Sequence, residues 1–386
     1  MSSPKRLLLL ILSLIILFCG AGAESSEDDL DIEEILPVTD SGNTPGIIEP
    51  DGSMIITITC TGDFTIGGDN RPSKQNKKYV RQFRKELAAH DDDINFTMAN
   101  VRDILRQDDL TLVNFEGTLT DSTYIPPNKR ENSFIFNISP RYVSVLPDNS
   151  IEAVCLENNH VMDHGEDAYE ETKQTLRDAG IIYSTSEFVG VYTVPEKNID
   201  IAMLSYLCID RYNKPVGGFD NLFDKVAHDI AEVKKIYPIV IVSFHWGNEK
   251  DKWPTDNQKK MGRLAVDSGA DLVVGHHSHR KNPIELYNGV YICYSLGNFC
   301  FSGHEKPDDM SSYIFQTRFR IARSGDISNI GFRIIPIRIS SLKDKNDYIP
   351  TPYTDANTIN GVLQELTENG RKYLDYPVSE YPLEWK

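Results

Sequence analysis

The feature that most restricts the fold of this chain is an alternation. From residue 52 onward, short runs rich in Val, Ile and Leu alternate with longer amphipathic stretches. Each strand and each helix has an apolar face that only a neighbouring layer can bury, so this rhythm demands an α/β layered core. Strands are expected at 54–60, 110–115, 151–156, 199–207, 239–244 and 272–275, with helices at 95–107, 165–179, 220–236 and 255–268. The helix at 165–179 carries Glu166 and Asp167 in its first turn and Arg177 in its last, and Gly180 closes it. Runs at 289–295, 312–321 and 331–339 follow without helix-length spacers and are expected as antiparallel strands beside the parallel ones.

With 40% hydrophobic and 25% charged residues among 386, the chain has enough apolar material for one large domain, expected at 52–340. Residues 341–386 form a polar, Pro- and Tyr-rich C-terminal extension with a short helix at 358–370. Sequence alone leaves open whether this extension wraps the core. At the other end, Lys5 and Arg6 precede an apolar run at 7–18 and the small residues Ala21, Gly22 and Ala23, the pattern of an export signal cut after Ala23. A retained membrane anchor and a lipid-modified Cys19 are the alternatives. Export would place the protein outside the cytoplasm, secreted or anchored to the outer face of the membrane.

Residues 24–51 hold ten carboxylates and no Lys or Arg, which is the composition of a disordered spacer. The chain as a whole carries a formal net charge of −17 and shows no Lys/Arg-rich stripe, so nucleic acid is not expected as a partner. The six cysteines are scattered, lack CxxC spacing and lie mostly in apolar runs, which points to buried free thiols rather than a disulfide framework or a thiolate zinc site.

Polar residues able to bind metal sit at the ends of the expected strands. Asp63 follows the first strand, Asn114 and Glu116 close the second, and Asn158, Asn159 and His160 follow the third. His245 ends the run at 239–244, and His276, His277 and His279 follow that at 272–275. Ligands collect where the carboxyl ends of parallel strands meet. Carboxylates and an amide mixed with imidazoles suit one or two divalent ions of the Mn, Zn or Fe type, which acidify water and stabilise charge on phosphoryl oxygens. Gly62-Asp63 or Asn158-Asn159 taken alone is a common turn. Three histidines within four residues, in a chain of only nine, are not explained that way. Two imidazoles in His277-Ser278-His279 share a pocket only if the backbone there is irregular. Asp163, Glu249, Asp267 and Asp271 are available as acceptors to orient the imidazoles.

At these residues the chain resembles the CapA family of bacterial capsule and poly-γ-glutamate synthesis proteins, a branch of the calcineurin-like metallophosphoesterases. The likeness spans about 54–302. It is carried by Gly62-Asp63, Asn114-Phe115-Glu116-Gly117, Asn158-Asn159-His160 with Asp163 and Gly165, Phe244-His245-Trp246-Gly247, Pro254 and Gln258, Gly275-His276-His277-Ser278-His279, and Tyr294-Ser295-Leu296-Gly297-Asn298-Phe299. The resemblance implies an α/β fold built as a four-layer αββα sandwich. It implies Asp63 as a ligand of a first metal, Glu116 as a bridging carboxylate, Asn159 and His245 on a second metal, and His277 and His279 completing the pair. His160 takes the part of proton donor to a leaving group, and Asn298 lines the site without an assigned role.

The chain departs from ordinary metallophosphoesterases in having Thr65 where their Asp-x-His motif has its imidazole, and Asn114-Phe115-Glu116 where they have Gly-Asp. Two functions follow: an exported accessory protein serving the membrane proteins that make or export an anionic capsule polymer, or a separate secreted metal-dependent phosphoesterase.

Overall fold

A computed structural model describes residues 49, 51–69, 71–74, 77–130, 133–195, 197–209 and 218–385. The expected export signal, and all of the acidic spacer except residues 49 and 51, lie outside these residues. In chain order the strands are β1 (Met54–Thr65), β2 (Leu110–Phe115), β3 (Thr118–Leu119), β4 (Asn137–Ile138), β5 (Ala153–Cys155), β6 (Ile182–Ser184), β7 (Gly190–Val194), β8 (Ile199–Cys208), β9 (Ile239–Trp246), β10 (Leu272–His276), β11 (Ile284–Tyr287), β12 (Val290–Cys293), β13 (Asn298–Phe301), β14 (Ser311–Ile321), β15 (Ile327–Arg338) and β16 (Thr351–Pro352). The helices are α1 (Lys78–Ala89), α2 (Arg102–Leu105), α3 (Glu166–Asp178), α4 (Gly218–Lys234), α5 (Asp256–Asp267) and α6 (Ala356–Tyr373).

Two large sheets form. One runs β16-β15-β14-β1-β2-β5-β6, with β13 also paired to β1, and the other runs β11-β12-β10-β9-β8-β7. Their strands are apolar on both sides because both faces are covered. Ile239 and Ile241 of β9 point between the sheets with Ile56, Ile58, Leu112 and Val274. The alternate residues Val240 and Val242 point outward against Val226 and Ile230 of α4 and Met261 and Ala265 of α5. On the far side, Val113 and Val154 meet Phe83 and Leu87 of α1 and Leu176 of α3. The order of layers is therefore helix, sheet, sheet, helix, the αββα sandwich that the resemblance implied. Each fully buried Val, Leu or Ile side chain in these layers contributes about 1.5–3 kcal/mol.

One expected helix does not form. Residues 95–107 divide into a 3-10 turn, Ile94–Met98, and the short α2, separated by Val101 at φ −125°. Ile94, Phe96, Met98, Val101 and Leu105 are all buried. On one continuous helix Phe96 would point away from the other four at 100° per residue, so the break lets all five reach the core. The unforeseen helix α1 places Val80, Phe83 and Leu87 on one buried face.

The late strands only partly follow expectation: β14 and β15 are antiparallel, but β12 pairs parallel with β10 and antiparallel with β11, which supplies the return. The C-terminal extension wraps the core. Helix α6, capped by Asp355, sends Val362 and Leu366 into the apolar layer between the sheets, beside Phe332 and Tyr381. Among the described residues the five cysteines are buried and free, and no helix is long and apolar enough to cross a membrane.

Candidate functional site

The carboxyl ends of β1, β2, β5, β9 and β10 meet at one edge of the sandwich. Asp63 lies within β1, at a shift of register, opposite Asn114 of β2 and Asn298 of β13. Gly62 is required there: a Cβ would lie 2.0 Å from the carbonyl oxygen of Gly297, which also accepts the Asp63 amide at 2.8 Å. Glu116 follows β2 and donates its amide to the Phe64 carbonyl at 3.0 Å.

After β5, the Asn158 side chain donates to the Phe115 carbonyl at 2.9 Å and accepts the His160 amide at 3.0 Å. The Asx turn and the site are thus one structure, which presents Asn159 and His160. His245 and His276 stand in register on β9 and β10. Beyond them the backbone is irregular, as the alternate histidines require: His277 has φ 87° and His279 φ 53°, left-handed values uncommon outside glycine. The two rings lie 6.3 Å apart, and His277 lies 4.7 Å from the His245 ring.

The focal atom is Glu116 Oε1. It is buried with no hydrogen-bond partner, yet the Nε2 atoms of His160, His245 and His279 lie 3.8, 3.8 and 4.0 Å away. Asp63 contacts His279 Nδ1 at 3.0 Å and His276 Nδ1 at 3.6 Å. His245 Nε2 lies 2.7 Å from Asn159 Oδ1. With one ligand atom taken from each residue, Asp63, Glu116 and His279 lie within 4.8 Å of one another, a grouping able to hold a divalent ion. Thr65 sets its hydroxyl 3.4 Å from Glu116 Oε2, and supplies no imidazole.

Neighbouring groups hold these side chains in place. Asn114 Nδ2 donates to Asp63 Oδ1 at 2.8 Å and lies 3.3 Å from His245 Nδ1. The 2.9 Å contact between His279 Nδ1 and Asn298 Oδ1 gives Asn298 a role, because a proton donated there leaves Nε2 facing Glu116. His160 Nδ1 lies 2.7 Å from Asp163 Oδ2, whose other oxygen accepts from Lys129 at 2.5 Å.

The electrostatics are those of charges gathered out of water. Burial, reinforced by the Asp63 charge, pushes the Glu116 carboxyl up to about 7. Burial opposes the charge on His279, but Glu116 and Asp63 outweigh it and raise the ring to about 9. Burial drives His276 down to about 4 and, with the His277 charge beside it, His245 well below its usual value. For His160 burial works downward, and the Asp163 carboxylate overrides it and raises the ring.

The structure therefore brings Asp63, Glu116, Asn159, His160, His245, His277 and His279 to one edge. Of the four acidic residues considered as orienting groups, Asp163 holds His160, and Glu249 lines the adjoining cavity. Asp267 and Asp271 are elsewhere, with Tyr287 and with Lys234 respectively. The reason is direction: both precede β10, so they belong to its amino end. Lys129 was not foreseen, since it lies in a polar loop and reaches Asp163 across 34 positions. A cavity of about 510 Å³ adjoins the site, with Phe136 and Phe301 on its walls and Lys250, Arg280 and Lys306 among its charged residues.

Residues 57–303 match the family model described as bacterial capsule synthesis protein PGA_cap. The chain is 35% identical over 331 residues to the PGA biosynthesis protein CapA of Bacillus subtilis, covering 82% of this chain and 78% of that one. It is 23% identical to the capsule biosynthesis protein CapA of Bacillus anthracis, covering 82% and 74%. Identity is 24% to a probable polyglutamine synthesis accessory protein of Mycobacterium tuberculosis, covering 61% and 67%.

Proposed function

Because the chain belongs to the PGA_cap family of bacterial capsule synthesis proteins, we propose that it is an exported accessory protein of anionic capsule-polymer synthesis, of the poly-γ-glutamate kind. It works at the outer face of the membrane beside the membrane proteins that make or export the polymer. The strand-end site holds one or two divalent ions and engages an anionic group of that polymer. The observation that carries this reading is Glu116 Oε1, a buried carboxylate oxygen without a donor, ringed by three imidazole nitrogens at 3.8–4.0 Å. Such an atom is costly to bury unless a cation joins it.

Asp63, Glu116 and His279 would hold one ion, and Asn159, His245 and His277 would serve a second through the shared Glu116. A divalent ion so held acidifies bound water and stabilises charge on an oxygen. Lys250 and Lys306 beside the cavity offer positive charge to an anion entering it, Arg280 being paired with Asp308, in a protein that is acidic overall.

A specific feature favours hydrolysis as a second reading. His160 faces the site with Nε2 while Asp163 and Lys129 hold its far side, the arrangement of a proton donor fixed in one orientation. Metal analysis of the purified chain, with an assay on a generic phosphodiester in Mn or Zn, tests both readings. Bound metal with no turnover supports the accessory role, whereas turnover that falls about 100-fold or more in His160→Ala at unchanged metal content supports hydrolysis. No bound metal in the wild type would overturn the site itself.

A further inference from the structure

A second cavity, of about 590 Å³, adjoins the one beside the strand-end site. The two share a wall, because Phe134, Gly303, His304 and Lys306 line both. They differ in charge. Beside the first, Lys250, Arg280 and Lys306 stand with Glu249 and Asp308, whereas the second gathers Arg71, Lys74, Lys77, Lys78 and Lys306 around one carboxylate, Glu305. Lys78 pairs with that carboxylate, and Asp69 holds Arg71 at 2.6 Å. Lys77 and Lys306 are exposed and, among the described residues, have no acid within ion-pair distance. Such an excess of bases is unusual in a chain of 57 acids and 40 bases. Lys77 and Lys78 also stand at the start of α1, whose first turn holds no acid, where the helix field favours an anion. Aromatic rings join the two cavities. Tyr79 lies 5.7 Å from Phe134, Phe134 lies 6.2 Å from Phe136, and Phe136 lies 4.7 Å from the His160 ring of the strand-end site. Phe134 sits on the shared wall with 53% of its surface exposed.

We propose that the two cavities form one groove that binds an extended polycarboxylate chain, one unit at the strand-end site and further carboxylates at Lys306 and Lys77. Each cavity alone has the volume of a whole small-molecule site, more than one carboxylate fills. His160 and His279 line only the first cavity and Lys77 only the second, so a single carboxylate cannot serve both. A chain with methylene groups between its charges can lay them on the exposed Phe134 ring while its carboxylates meet the lysines, which a small inorganic anion cannot do. This inference rests on the reading of the protein as serving an anionic capsule polymer. It adds that several consecutive units are gripped, rather than one free end.

The full chain, supplied with Mn, is titrated with γ-linked oligoglutamates of two units and of about ten, and binding is read by calorimetry at low and high salt. The longer oligomer is expected to bind about 10-fold or more tightly than the dimer, with the gap narrowing as salt is added. Lys77→Glu reverses an exposed charge away from the metal edge. It should weaken the longer oligomer about 10-fold, with little effect on the dimer and none on metal content. Equal affinity for the two lengths overturns the groove and leaves the polymer reading intact. So does a length dependence that survives Lys77→Glu, since a longer chain offers more places to bind even at a single subsite. Polyphosphate of similar length binding as tightly, with the same dependence on Lys77, overturns the assignment to a polycarboxylate. Failure of both oligomers to bind the wild type overturns the polymer reading as well.

Discussion

The two ends of the parallel strands treat buried charge in opposite ways. At the amino ends the protein settles most of it internally. Asp109 meets Lys197 at 2.6 Å and the Thr57 amide at 2.8 Å, and the same Lys197 donates to the Ile55 carbonyl at 2.6 Å. Asp271 is likewise held by Lys234 at 2.6 Å and the Val240 amide at 2.7 Å. Asp108 is the exception: burial and the Glu152 charge push it well up, its Oδ2 accepts from the Thr111 hydroxyl at 2.7 Å, and its Oδ1 is buried without a partner. At the carboxyl ends, Glu116 Oε1 and both nitrogens of His276 are buried with nothing to satisfy them. The polar groups at the carboxyl ends face one another at 3.6–4.0 Å, the unsatisfied arrangement on which the proposed metal centre rests.

The largest effect is expected at the amino end. Lys197→Met leaves Asp109 buried without its cation and should cost about 3–5 kcal/mol in denaturant unfolding, with metal content unchanged. A loss below about 1 kcal/mol would mean that this end is not settled by the pair. Glu116→Gln should do the reverse. Without metal the variant should be no less stable than wild type, because a costly buried carboxylate is gone. With metal at 100 times its dissociation constant, the variant should lack the stabilisation of about 2.7 kcal/mol that wild type gains, visible as a missing shift in thermal unfolding.

The pH dependence of the chelated protein sharpens the contrast. Glu116 binds its proton more tightly folded (about 7) than unfolded (4.5), so its contribution to stability is lost as pH rises through that interval. His279, raised from 6.5 to about 9, contributes fully below 6.5 and loses that contribution on the way to 9. His276, lowered to about 4, and His245 run the other way but only below 6.5, so stability of the chelated protein should fall between pH 6.5 and 9, by about 1.4 kcal/mol for each unit of pKa shift crossed. Added metal should flatten or reverse the trend, since it binds the deprotonated forms. The smallest effect belongs to Asn298→Ala. It should cost about 1 kcal/mol in stability but about 10- to 100-fold in metal affinity, by freeing the His279 ring.

How much of this was legible follows from the same geometry. The continuous apolar runs announced β8, β9 and β10 nearly to the residue, because strands buried on both faces admit little else. Asp63, Glu116 and His245 were visible as polar residues ending such runs. The alternate histidines also announced an irregular backbone, observed as positive φ at His277 and His279. What stayed hidden depends on distance in the chain or on direction. Lys129 reaches Asp163 from a loop with no pattern of its own. Asp267 and Asp271 look near the histidines in sequence but belong to the other end of β10. His276 reads as one of three adjacent histidines until the missing partners of its ring are seen. The break near Val101 followed from where Phe96 had to point, which only the packed core decides.

The central claim, that the carboxyl-end residues act jointly as a metal centre, is tested most directly by counting metal in the purified wild type and in Glu116→Gln. The account predicts one or two equivalents of a divalent transition metal in the wild type and their loss in the variant. Wild-type protein that takes up no Mn, Zn or Fe, or a Glu116→Gln variant that keeps them all, would contradict it.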